Sequence, residues 1–152
     1  MELILINGEG IRTYDTKLIS AFKRTNAYAA EDFKILRQFL AYAKITVTPG
    51  VLSEVSNYAE ELKDKRFSEL IKKNIAILKK MKELYISKEN ILESNEVYKF
   101  GFTDTSIFLA AKNNSAVILT GERPLWSYCQ NLGIGIHHLD DILATKELFK
   151  LK

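Results

Sequence analysis

The sequence predicts an α/β domain of three layers, α/β/α, in which a mainly parallel central sheet carries helices on both faces. Three observations predict it. Ile45–Thr48 is a β-branched segment that runs straight into a proline-led helix start. Ala116–Leu119 is a short apolar run bounded by turn residues, as a buried strand requires. Between and around these lie stretches whose apolar residues recur at three- and four-residue steps. Strands that alternate with helices pair in parallel, because a helical crossover returns each strand in the same direction.

The elements follow in order. Glu2–Ile6 reads as the end of a strand or an apolar helix start, and Asn7–Gly10 as a turn. Asp15 caps a short helix to Lys23, with Leu18, Ile19 and Phe22 at helical spacing. A second helix spans Ala30–Ala43, its stripe being Phe33, Leu36, Phe39, Leu40 and Ala43. After the strand Ile45–Thr48, Thr48 as cap and Pro49 at the first helical position open a helix that turns Val51, Leu52, Val55 and Ala59 inward. A long helix is expected over Phe67–Leu84, followed by a brief strand at Tyr85–Ile86. Gly101–Asp104 is a loop into a helix capped by Thr103, with Ile107, Phe108 and Ala111 facing the core. Strand Ala116–Leu119 leads through a turn, Thr120–Pro124, to a helix over Leu125–Leu132 that Gly133 closes in the left-handed conformation. Ile134–His138 is the last strand, and a short helix starts at Asp140.

Composition bounds the rest. The chain has 152 residues, 47% of them hydrophobic, enough for one domain with a core of its own. Its longest apolar runs fall far short of the roughly 20 residues of a membrane span, so a cytoplasmic protein with no membrane partner is expected. Cys129 is the only cysteine, which excludes an intrachain disulfide. Among apolar helix positions beside Trp126 and Leu132 it reads as a buried, inert thiol; a nucleophile would need a histidine base, and His137 and His138 read as strand residues. The formal charge of +3 is compatible with nucleic-acid binding without arguing for it. Lysines and arginines do gather at 23–24, 63–66 and 72–82, a pattern that suits a solvated helix face or a phosphate track.

Three acidic residues stand where a parallel sheet would bind a ligand, outside the carboxyl ends of its strands. Glu54 is on the helix after strand 45–48, Asp104 opens the helix before strand 116–119, and Glu122 lies in the turn after that strand. Gathered carboxylates repel one another, and a divalent cation relieves the repulsion. Mg²⁺ takes carboxylates and water in octahedral geometry. Each acid also has a plainer reading. Asp104 in a first turn suits the helix dipole, Glu54 suits a solvated helix face, and Glu122 beside Arg123 suits a surface turn pair. Thr103 and Thr120 are capping or turn residues before they are aids to a metal site. Asn57, three residues after Glu54, either reaches the same site or faces solvent.

Thr48-Pro49-Gly50-Val51-Leu52-Ser53-Glu54 resembles the T-P-x-V-L-x-E element of PIN domains. Asp104-Thr105-Ser106-Ile107 is similar to their third acidic motif at a helix start, and Leu119-Thr120-Gly121-Glu122 to their L-T-x-D motif. The three occur in the family's order and cover roughly residues 3–138. The resemblance implies a PIN-like fold and a Mg²⁺- or Mn²⁺-dependent ribonuclease, with Glu54, Asp104 and Glu122 as metal ligands and catalytic acids. RNA would be the substrate, an antitoxin or other protein a partner, and a homodimer the assembly. Two departures bear on activity. The family's first aspartate is missing: either Asn7 replaces it, or Leu3–Ile6 matches the stretch after it and the chain starts downstream. Glu122 stands where the family has aspartate and reaches one methylene further. A PIN-like module that binds RNA or protein without cutting is therefore the alternative expectation.

Overall fold

The computed structural model describes residues 29–41, 43–60, 72, 75–76 and 78–145. The expected elements at Glu2–Ile6, Asn7–Gly10 and Asp15–Lys23, and candidate residue Asn7, lie outside these. The described residues divide into two units. One takes Thr46–Ser56 and Lys82–Leu139, and the other takes the remainder.

In the first unit, β1 (Thr46–Val47) is followed by α2 (Pro49–Glu60). Pro49 suits the first helical position because its missing N–H would have had no partner there. The Thr48 carbonyl accepts the Leu52 amide at 3.2 Å, the first bond of the helix. β2 (Lys82–Glu83) pairs in parallel with β1, Thr46 opposite Lys82 and Val47 opposite Glu83. The Leu84 amide extends the ladder to the Val47 carbonyl at 2.9 Å. This corrects two expectations. The long helix does not continue to Leu84, and the strand lies at Lys82–Glu83 rather than Tyr85–Ile86. Backbone pairing with β1 outweighs the helix propensity of a lysine-rich stretch.

Two helices come next, of which the first, and the opening turn of the second, were not expected from the sequence. α3 (Lys88–Glu93) is capped by Ser87, whose hydroxyl accepts the Asn90 amide at 3.2 Å. α4 (Val97–Asn114) is broken at Gly101, where φ is 77° and ψ −174°. That conformation is open to glycine and costly to any residue with a Cβ. The break sets the start of the second, longer run of α4. Thr103 accordingly lies inside the helix, two residues past the break, and is not the expected cap.

β3 (Ile118–Thr120), α5 (Arg123–Asn131) and β4 (Ile136–His138) complete this unit, with α6 (Leu139–Leu143) beginning at its end. β3 and β4 are parallel, Ile118 opposite Ile136 and Thr120 opposite His138. α5 starts two residues earlier than expected, so Pro124 belongs to its first turn and not to the preceding loop. Gly133, with φ of 69°, closes α5 as expected. The core here is Phe108, Ala111, Ile118, Leu125, Cys129 and Ile136, flanked by Phe100, Ile107, Tyr128 and Ile134. Phe108 and Ala111 are the two positions of α4 that the spacing assigned inward with greatest burial; Ile107 is half-buried.

In the second unit, α1 (Ala30–Leu40) carries a buried carboxylate, Asp32, which accepts the Ala29 amide at 2.6 Å and so closes the helix start. Its buried apolar residues are Ile35 and Leu36. Phe39 and Ala43, expected on the stripe, are exposed; Ala43 lies beyond the helix, which stops at Leu40.

Both described strand pairs are parallel and alternate with helices, so the molecule is mixed α/β. Among the described residues, no helix is long and apolar enough to cross a membrane.

Candidate functional site

The carboxyl end of β1 is tied to the second run of α4. The hydroxyls of Thr48 and Ser106 lie 3.0 Å apart, and both residues are buried. Ser106 also donates its hydroxyl to the Thr103 carbonyl at 2.7 Å, so with Ser106 as that donor the Thr48 hydroxyl donates to it. In the first turn of α2, Gly50 faces Thr103 so closely that an added Cβ would stand 3.3 Å from the Thr103 side chain. Gly50 is thus the residue that lets the two backbones approach. A helix residue and the one four positions later share a face. Glu54 therefore stands on the face of α2 that Gly50 turns to Thr103, and Asp104 is the next residue after Thr103. Both carboxylates are half-buried. The elements that bear Glu54 and Asp104 meet through these residues.

Asp104 also lies within electrostatic reach of Cys129. Burial pushes the Cys129 thiol up to about 11, and the Asp104 charge adds to the effect. The thiol is fully buried and suits no nucleophilic role, in line with the reading of its sequence context. Next to Asp104, the Thr105 hydroxyl is buried and makes no hydrogen bond.

Glu122 stands after a different strand. It follows β3 and is exposed. Its amide donates to the Thr120 hydroxyl at 3.0 Å, which makes Thr120 the residue that folds this turn. His138, opposite Thr120 on β4, lies with its ring Nε2 3.1 Å from the Gly121 carbonyl. Sequence reasoning assigned His138 no task beyond its place in a strand, and no spacing signal could have shown this contact across 17 residues. Asn57 is exposed on α2. Among the described residues, no group of three or more His, Cys, Asp or Glu side chains is arranged to hold a metal ion. The oxygen donors present are of the kind Mg²⁺ and Mn²⁺ take, but they do not form a ready-made ligand set.

A second polar knot joins Glu96, Ser94 and Tyr128. Tyr128 donates its hydroxyl to Glu96 Oε1 at 2.7 Å, and Ser94 donates to the other carboxylate oxygen. The Ser94 and then the Tyr128 hydrogen bond hold Glu96 below the usual carboxylate range, while Tyr128 is pushed up. Lys99 stands 4.6 Å from the centre of the same tyrosine ring. The knot fastens the start of α4 to α5.

No protein-family model, no curated protein and no solved structure matches this chain.

Proposed function

We propose that this chain is a Mg²⁺- or Mn²⁺-dependent endoribonuclease of the PIN type, with Glu54 and Asp104 at the centre of its acidic site and Glu122 at the margin. On this reading β1–β2 and β3–β4 belong to one central, mainly parallel sheet with helices on both faces. The observation that carries it is the buried Thr48–Ser106 contact, which joins the helix start leading to Glu54 to the helix start holding Asp104. That contact links two motifs 58 positions apart that resemble acidic elements of one family.

The cation would supply charge for the phosphodiester and a more acidic water. The chain's own part is placement. Half-burial of Glu54 and Asp104 keeps bulk water from screening them, so their attraction for a cation exceeds that of surface acids. The Thr48 and Ser106 hydroxyls fix the two helix starts, and Gly50 sets their separation. Glu122, exposed in the turn after β3, would be a further carboxylate for the cation.

A second reading has an observation of its own. With no ready-made metal group among the described residues, a PIN-like module that binds RNA or a protein partner without cutting also fits. Incubating unstructured RNA with the protein in Mn²⁺, beside a Glu54→Gln, Asp104→Asn variant, separates the two. Cleavage by the wild type and none by the variant is the expected result. Equal cleavage by both removes the proposed site, and absence of cleavage by both favours the binding module.

A further inference from the structure

We infer that His138 is a positioning residue for the acidic turn: it holds the Gly121 carbonyl and thereby sets where Glu122 leaves the sheet. The inference rests on the ribonuclease reading, because it gives Glu122 a site to be positioned for. Three contacts carry it. His138 Nε2 is 3.1 Å from the Gly121 carbonyl. A carbonyl only accepts, so the ring nitrogen there is the protonated one and donates. The Glu122 amide is held by Thr120, the residue in register with His138 on the neighbouring strand. The ring itself has little freedom. It is 2% exposed and meets Trp126 edge-on at 6.3 Å, and the guanidinium of Arg123 lies 5.3 Å from the Trp126 ring.

The turn Gly121–Glu122 is therefore fastened on both sides, by a side chain of β3 at the Glu122 amide and by a side chain of β4 at the Gly121 carbonyl. An apolar residue at 138 would fill the same space and release the carbonyl. Groups that orient a metal ligand from behind commonly govern affinity by roughly 10- to 100-fold. His138 acts through the backbone of the turn and touches neither RNA nor cation.

The test has two arms on the full chain, amide hydrogen exchange without metal and Mn²⁺ binding by calorimetry, at one pH. His138→Phe removes the donor, and His138→Gln carries an amide nitrogen near the position of Nε2. His138→Asn, too short to reach Gly121, serves as a second loss variant should the Phe variant fail to fold. The expected result is roughly three- to tenfold faster exchange at the Glu122 amide in the loss variants. The Ile118 and Ile136 amides should keep their protection, and Mn²⁺ binding should weaken about tenfold or more. His138→Gln should restore both. Unchanged exchange at Glu122 overturns the positioning role, and faster exchange with unchanged Mn²⁺ affinity overturns its link to the site. A wild type that binds no Mn²⁺ sinks the ribonuclease reading instead, a distinct failure because the exchange arm needs no metal.

Discussion

Cys129 is fully buried, and the loss of hydration, with the negative charge of Asp104 added, pushes its thiol up to about 11 from the ordinary 9.0. The folded protein then keeps its proton where the unfolded chain has lost it. Stability is therefore unaffected below about pH 9 and declines as pH rises from about 9 toward 11. Urea unfolding at pH 8 and pH 10 should show the midpoint falling. The same burial predicts that iodoacetamide leaves the native thiol unmodified at pH 8 and labels the unfolded chain. Asp104→Asn should lower the thiol's pKa, since it removes the neighbouring negative charge. Glu96 gives the opposite sign. Its carboxylate is held below 4.5 by Ser94 first and Tyr128 second, so its contribution is present above about pH 4.5 and lost as pH falls through the depressed value. Tyr128→Phe should bring the Glu96 titration back toward the usual range, observable by NMR of its side-chain carboxyl. Burial of Cys129 was legible from its apolar helical neighbours. The Glu96–Tyr128 pair was not, because 32 residues separate the partners and neither belongs to a spaced pattern.

Helix boundaries on α4 depend on two backbone positions, and they predict changes of opposite sign. Gly101 sits at φ 77° and ψ −174°, with open space around a Cβ. The demand there is conformational and not steric, so Gly101→Ala should cost about 1–3 kcal/mol. Ser115 ends the same helix in the left-handed conformation at φ 52°, so Ser115→Gly should stabilise by about 1 kcal/mol. Chemical denaturation of the two variants checks both signs. A sequence reading puts Gly101 at the start of a loop and the cap at Thr103, since threonine before an aspartate reads as a cap when the backbone is unknown. It also extends a lysine-rich helix through Lys82 and Glu83, because propensity is local and the pairing with Thr46 and Val47 is not. The end read well was one with a marked stop, the close of α5 at Gly133.

For the molecule as a whole, parallel pairing was legible because strands and helices alternate, and both described pairs are parallel. Of the three acids, two stand on elements that meet. The Thr48-Pro49 helix start and the break before Asp104 lie on elements that meet through Thr48, Ser106, Gly50 and Thr103. Glu122 was placed after its strand correctly, but the turn that carries it is set by Thr120 and His138, and it remains exposed. The central claim is that Glu54 and Asp104 share one cation site. A double-mutant cycle on Mn²⁺ binding by calorimetry, with Glu54→Gln, Asp104→Asn and the pair combined, tests it most directly. One shared site predicts that either single change abolishes most of the binding and that the second adds little. Independent, additive losses, or Mn²⁺ binding unaffected by both changes, would contradict it.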